Sequence, residues 1–531
     1  MKIALAQLNY TIGDIEGNAR KVLEAIQRAK NERADLVLFA EYALSGTPAY
    51  DLLRKTTFLT MCEEALEAIA EKCDTITAIV GTPLLTERGP VSAAAVLRNG
   101  QIDTIVEKQY ISARREMGFI VAGDGCKVVR IGDSNIAIMV GNDFTHMQEL
   151  DMEADFVVNV NSRRYGKGLL SKRYEVASNL AYTMERNIII INQVGGSGDL
   201  VYDGMSGVMN RNGKLELLMK SFEEDFSIYD TLAEYPEYDS PFTSYNDRTR
   251  MVYKAACIGL RDYFHKNGYK KAGVGLSGGI DSAVVACLAV GALGKENVKA
   301  LLLPSQFSSN SSVEDAKQLA DNLGIEYSVL PINDVYDAIM STLKPVTGGT
   351  RFDSTEENIQ SRIRTVLLMA LQNKEDYVLL NSSNKSENAL GWCTLYGDTA
   401  GAFSVTGDLY KSEIYDVARY INQTFDNPIP ENILDKEPSS ELRPNQKDSD
   451  LLPPYEIVDA ILVRMIEQGQ HREEIINAGF DSAVVEKVHK MLMDNVKKRY
   501  QYPPVLRLST HSFRHECLFP LVNKYGYYTA G

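Results

Sequence analysis

A chain of 531 residues has room for two or three domains, each with its own core, and 24% charged with 44% hydrophobic residues is the balance of a water-soluble globular protein. A net charge of −15 excludes general nucleic-acid binding, leaving at most a local basic pocket for a small anionic substrate. No apolar run reaches membrane-spanning length, and seven scattered cysteines without a Cys-x-x-Cys pair exclude structural zinc and a disulfide framework, as in a reduced, cytoplasmic protein.

The first 230 or so residues alternate short apolar segments with amphipathic ones. Strands are expected at 2–9, 36–39, 78–80, 136–140, 156–160 and 188–192, and the N-terminus reads as a strand rather than a signal peptide. Apolar spacing near 3.6 predicts helices at 17–32, 57–72 and 171–186. Residues 201–219 read as a hairpin with Arg211-Asn212-Gly213 at its turn, and the polar, proline-containing stretch 233–246 as a linker between domains 1–232 and 247–531. Beyond it a helix at 248–266 is followed by strand–loop–helix units at 273–293, 298–323, 327–340, 356–373 and 377–380, the rhythm of a doubly wound parallel sheet.

One turn in this second half carries specific chemistry. An apolar strand runs into Gly275-Leu276-Ser277-Gly278-Gly279-Ile280-Asp281-Ser282, and an apolar helix follows. The glycines allow a tight backbone whose N–H groups, with a helix N-terminus, converge on one anion. Ser277 and Ser282 add hydroxyls, and Asp281 can hold a divalent cation against the same phosphates. No lysine follows the second glycine, so this is not the Gly-x-x-x-x-Gly-Lys-Ser/Thr loop. It resembles the pyrophosphate loop of the N-type ATP pyrophosphatases, with their adenine nucleotide α-hydrolase-like fold.

Within that group, residues 248–531 resemble the NAD synthetases. The resemblance rests on Leu303-Pro304-Ser305, Glu357-Asn358-Ile359-Gln360-Ser361-Arg362, Asn384-Lys385-Ser386-Glu387, Thr394-Leu395-Tyr396-Gly397-Asp398, Glu441-Leu442-Arg443-Pro444-Asn445-Gln446-Lys447-Asp448, Lys498-Arg499-Tyr500 and Phe519-Pro520-Leu521-Val522-Asn523, in that order. It implies deamido-NAD, ATP and ammonia as substrates, with Mg2+. The pyridine carboxylate attacks the α-phosphate of ATP, pyrophosphate leaves, and ammonia displaces AMP. By family position Asp281 and Glu387 hold the metal, and Lys411 and Ser382 contact ATP. Asn358, Glu387 and Lys498 bind the dinucleotide, with Asp408 and Lys447 as lesser candidates. Ser383 stands where the family has glycine. The other readings are amidation of a different carboxylate, thiolation of a base, or a protein that only binds nucleotide. The acidic charge argues against a tRNA enzyme, and two intact metal carboxylates against a mere binder.

Residues 1–230 resemble the nitrilase-like glutaminase domain that many NAD synthetases carry, an αββα sandwich that associates into homo-oligomers. The shared segments are Phe39-Ala40-Glu41-Tyr42-Ala43-Leu44-Ser45-Gly46, Tyr165-Gly166-Lys167, Asn192-Gln193-Val194-Gly195-Gly196 and Tyr202-Asp203-Gly204. The family uses a glutamate as proton acceptor, a lysine for the oxyanion and a cysteine nucleophile. Glu41 and Lys108 match the first two. The family's Ile-Cys-Glu-Asp segment aligns with Val140-Gly141-Asn142-Asp143, so Gly141 stands at the nucleophile position. The loop Tyr110-Ile111-Ser112-Ala113-Arg114-Arg115-Glu116 also departs from the glutamine-binding pattern. The expectation is therefore an ammonia-dependent NAD synthetase whose glutaminase domain is degenerate, fed by a separate glutaminase. The alternative is glutamine use through another nucleophile, with Cys126, Cys62 and Cys73 as the cysteines to weigh.

Overall fold

In the computed structural model the chain divides into two compact units, Met1–Thr243 and Ser244–Gly531. The structure describes residues 1–112, 116–149, 153–238, 245–348, 352–444 and 446–522. Residues 113–115 of the departing loop, 239–244 of the linker, Asn445 and Asn523 lie outside the described residues.

The first unit holds two six-stranded sheets. One runs Asp225–Asp230, Lys2–Gln7, Leu36–Leu38, Thr77–Thr86, Gly89–Arg98, Gln101–Glu107. The other runs Leu215–Leu218, Gly207–Met209, Asn187–Ile191, Phe156–Val160, Ser134–Val140, Lys127–Ile131. The period of two in the N-terminal strand assigns each side chain to a layer. Ile3 and Leu5 join Ile136, Ile138, Phe156 and Val158 in a core between the sheets. Ala4 and Ala6 face the helices Ile15–Asn31 and Thr56–Ala70, packed against Val22, Ile26 and Leu66. Each fully buried Val, Leu or Ile side chain among these contributes about 1.5–3 kcal/mol. With the helix Leu169–Met184 against the second sheet, the layers are α, β, β and α. The first helix starts where Asp14 accepts the Gly17 N–H, and its buried Val22, Ala25, Ile26 and Ala29 recur at helical spacing.

Three expectations change here. The segment at 78–80 is the start of the ten-residue strand Thr77–Thr86, paired antiparallel with Gly89–Arg98. The run Ala93-Ala94-Ala95 in that partner favours helix by propensity, but Ala94 and Ala95 are buried on opposite faces of the sheet, where small side chains fit. The hairpin around Arg211-Asn212-Gly213 joins Gly207–Met209 to Leu215–Leu218, whereas Leu200–Asp203 pairs back with Val194–Ser197. Asp225–Asp230 adds an unforeseen strand, antiparallel to Lys2–Gln7.

The second unit is built on a five-stranded, all-parallel sheet in the order Glu326–Val329, Val298–Leu302, Ala272–Gly275, Val378–Asn381, Phe403–Ser404. Counted along the chain, that is third, second, first, fourth, fifth. The order reverses between Ala272–Gly275 and Val378–Asn381, and the loops leaving those strands open a crevice where doubly wound sheets bind ligands. The pyrophosphate-type loop leaves the first of these strands, and Ser382 to Glu387 leave the other. A separate helical core gathers Val458, Ile461, Leu462, Val485 and Val488 beneath Ala389 and Leu390.

Candidate functional sites

The turn after Ala272–Gly275 is tight, and two of its N–H groups are held by its own serines: Ser277 N donates to Ser282 Oγ and Gly279 N to Ser277 Oγ. Gly278 adopts φ +79°, and a Cβ there would meet the Ser312 carbonyl oxygen at 2.2 Å, so only glycine fits. The helix Ile280–Leu293 begins at once, with Gly279 as its N-cap residue. The Ser277 and Ser282 hydroxyls lie 3.1 Å apart, and Ser282 Oγ donates to Gly279 O at 3.0 Å. The N–H groups of the first helical turn point outward from this loop.

Three predicted residues meet at the crevice. Lys411, the first residue of the helix Lys411–Thr424, donates to Asp281 Oδ2 and lies 3.2 Å from Glu387 Oε1. Asn384 joins the two sides. Its Oδ1 caps the Glu387 N–H at 2.9 Å, and its Nδ2 donates to Asp281 Oδ1 at 2.8 Å. The Lys411 side chain is only 4% exposed, but Asp281 and Glu387 keep 18% and 19%, so a ligand can reach both carboxylates. Burial pushes the Glu387 carboxyl up to about 8; Lys411 pulls against this and Asp281 adds to it. Burial also opposes the Lys411 charge, but Asp281 and Glu387 outweigh it and hold the ammonium above its ordinary range.

A second group surrounds the segment 391–400. Thr394 Oγ1 donates to Asn358 Oδ1 at 2.7 Å, and Lys498 Nζ donates to Gly391 O at 2.6 Å and Cys393 O at 2.8 Å. Asn358 and Lys498 thus share one support. Ser382 and Ser383 follow the strand Val378–Asn381, and Ser383 N donates to Asn381 Oδ1 at 3.0 Å.

Two weaker candidates are not brought in. Asp408 is buried against Lys385 at 3.2 Å and accepts from Leu508 N, Ser509 N and Ser512 Oγ, so it pins the C-terminal segment. Lys447 pairs at the surface with Glu437 at 2.7 Å. Its neighbour Asp448 is the residue that the sequence reading passed over. Burial pushes its carboxyl up, the Lys411 and Asp281 charges both reach it, and it accepts from Tyr455 OH at 3.1 Å. The signal was the alternation Gln446-Lys447-Asp448, in which the lysine drew the attention.

Among the described residues no group of three or more His, Cys, Asp or Glu side chains could hold a metal by itself. Mg2+ usually takes one or two carboxylates and completes its shell with substrate phosphate and water. The hard oxygens of Asp281 and Glu387, gathered on one lysine beside the anion cradle, fit that mode.

In the first unit Glu41, Lys108 and Gly141 each follow a strand of one of the two sheets and come together. Lys108 Nζ donates to Glu41 Oε1 at 2.9 Å and Glu116 Oε1 at 2.6 Å, and Ser92 Oγ donates to Glu41 at 2.9 Å. Burial pushes the Glu41 carboxyl up against the pull of Lys108, and opposes the Lys108 charge, which the two glutamates restore and raise. Gly141 has φ +57°, and a Cβ on it would meet Lys108 Nζ at 2.6 Å and Glu41 Oε2 at 3.0 Å. The space around them is lined by Tyr42, Thr47, Tyr50, Glu116 and Asn161, and among the described residues no cysteine lines it. Cys126 is half-buried, and burial pushes its thiol up to about 12, the reverse of an activated nucleophile. Cys62 and Cys73 are buried, pushed up to about 12 and about 11.

Comparison with known proteins assigns both units. Residues 252–502 match the NAD synthase family and residues 2–231 the carbon-nitrogen hydrolase family. The chain is 36% identical over 568 residues to the glutamine-dependent NAD(+) synthetase of Aquifex aeolicus (strain VF5), covering 99% of this chain and 100% of that one. It is 35% identical over 539 residues to the glutamine-dependent NAD(+) synthetase of Acinetobacter baylyi, covering 98% of each. The glutamine-dependent NAD+ synthetase of Acinetobacter baumannii, solved with ADP, superimposes with TM-score 0.77 at 33% identity over 98% of both chains. That of Cytophaga hutchinsonii, at 19% identity and TM-score 0.85, shares the fold. The names of these relatives favour the glutamine-using alternative over the expectation of ammonia alone.

Proposed function

Because this chain belongs to the two-domain NAD synthetase family, we propose that its second unit amidates deamido-NAD with the residues gathered at the sheet's switch point, and that it draws on free ammonia. The observation that carries the first part is the Lys411 ammonium shared between Asp281 and Glu387 beside the Ser277–Ser282 turn. The backbone N–H groups of that turn receive the pyrophosphate of ATP. Lys411 neutralises charge as the α-phosphate passes from pyrophosphate to the pyridine carboxylate. Asn358 and Lys498 hold the dinucleotide so that its carboxylate lies in line, and Ser382 contacts ATP. Asp281 and Glu387 would hold Mg2+, which would supply charge neutralisation for the phosphate oxygens. Ammonia then displaces AMP from the adenylated carboxylate. Release of pyrophosphate and AMP that depends on deamido-NAD and Mg2+ tests this assignment; release without deamido-NAD contradicts it.

The use of ammonia rests on Gly141. A glutaminase of this type needs a thiolate held beside its glutamate and lysine, and the Cβ position on which it would be built is taken by the Lys108 ammonium. The first unit then serves as a scaffold for a homo-oligomer, with ammonia supplied by a separate glutaminase. Glutamine use through an unrecognised nucleophile is the second reading, favoured by the relatives' names.

A further inference from the structure

Deeply placed arginines in the second unit are mostly accounted for by the protein itself. Arg499 donates to Ala389 O at 2.9 Å and Leu492 O at 2.7 Å, and lies over the Phe513 and Phe519 rings. Arg507 pairs with Glu516. Arg364 differs. It donates through Nε to Leu303 O at 2.9 Å, and among the described residues neither of its Nη groups has a hydrogen-bond partner and no carboxylate lies within ion-pair reach. Burial pulls its guanidinium down to about 10, and the charges of Glu441 and Asp398 reach it only at longer range. Arg364 is only half-buried, so its Nη edge stays open to a ligand.

Its place in the fold indicates what would pair with it. Arg364 belongs to the helix Ser354–Glu375, one turn before Leu368, whose Cδ1 lies 3.4 Å from the Cβ position of Gly275 at the end of the loop-bearing strand. A helical turn of about 5.4 Å toward the helix N-terminus brings Arg364 level with the beginning of the anion cradle. Leu303, its backbone partner, follows Val298–Leu302, the strand paired in parallel with Ala272–Gly275. On the other side, the same helix carries Asn358, bonded to Thr394, and Ser361, which accepts the Asp398 N–H at 3.1 Å. The helix that carries Arg364 therefore runs between the loop assigned to ATP and the segment assigned to the dinucleotide.

We propose that Arg364 is a nucleotide ligand of the synthetase site, its open Nη edge taking the α-phosphate of ATP, the phosphate that becomes linked to the substrate carboxylate. A planar guanidinium offers a phosphate two parallel N–H donors, and an ammonium cannot reproduce that geometry. The proposal rests on the synthetase reading given above.

Full-length wild type, Arg364→Lys and Arg364→Met are assayed for NAD formation with saturating ammonium and Mg2+, varying ATP and deamido-NAD in turn. Wild type that forms no NAD removes the synthetase reading itself. Given an active wild type, Arg364→Met raises the KM for ATP about tenfold or more, Arg364→Lys recovers part of the loss, and the KM for deamido-NAD moves by less than about threefold. An unchanged KM for ATP overturns the proposal. So does a rise confined to deamido-NAD, which gives the arginine to the dinucleotide, or a lower melting temperature with both KM values intact, which makes it a packing residue.

Discussion

The Lys108 ammonium stands 2.6 Å from the point where a Cβ on Gly141 would lie, so a cation fills the space from which a nucleophile would extend. Restoring the cysteine alone then meets two obstacles. Lys108 must shift against its pairing with Glu41 and Glu116, and the backbone at φ +57° is strained for any residue but glycine. Gly141→Cys is expected to release no ammonia from glutamine above the wild-type background, measured with a coupled ammonia assay.

Lys108 also serves stability. It separates two buried carboxylates, Glu41 at 2.9 Å and Glu116 at 2.6 Å, whose mutual repulsion would otherwise be unscreened. Lys108→Met removes the one charge among the described residues that pairs with both of them and is expected to cost about 3–5 kcal/mol in denaturant unfolding. Glu41→Gln, which keeps the lysine paired with Glu116, should cost less. The reverse order would mean that the cluster is not held together by its lysine.

At the second site the same arrangement has a catalytic reading. On the proposed reading, Lys411→Met and Glu387→Gln each remove a group assigned to the reacting phosphates and are expected to lower kcat/KM for NAD formation about 10²–10³-fold. Circular dichroism of the folded variants separates this from loss of structure. A variant that stays folded and retains full activity would take that residue out of the mechanism.

Asp408 illustrates the opposite case, a residue of family-like position with a structural task. Burial pushes its carboxyl up, but Lys385 and the hydroxyls of Ser512 and Ser509 outweigh this and hold it below the ordinary 3.8. A depressed carboxylate stabilises the fold above the unfolded value, and that contribution is lost as pH falls through the folded one. The gap in melting temperature between wild type and Asp408→Asn should therefore be widest above about pH 4 and narrow below it. The KM for ATP should stay within about twofold of wild type, since no nucleotide contact is removed.

Much of the site was legible because chemistry-bearing residues fell on loops whose place the topology dictates. Asp281, Glu387 and Lys411 are 130 positions apart at most, yet each begins or adjoins a helix that leaves the same edge of one sheet. Elements with ambiguous local preference were harder to read. The alanine-rich strand Gly89–Arg98 is held by its pairing with Thr77–Thr86, a tertiary constraint that propensity does not encode. Asp448 and Arg364 escaped for a different reason. What distinguishes them is burial and the company of distant charges, which one-dimensional spacing cannot express. That Gly141 would lie beside Glu41 and Lys108 followed from the strand ends that carry them, but the closeness of the Lys108 ammonium to its Cβ position was not legible.

The most direct test supplies the purified protein with deamido-NAD, ATP and Mg2+, and either ammonium chloride or ammonia-free glutamine as the nitrogen source. NAD formed with ammonium and not with glutamine is the predicted result, uniting an active Asp281–Glu387–Lys411 site with a first unit that hydrolyses no glutamine. Equal NAD from glutamine would contradict the account and require a nucleophile other than the residue at position 141.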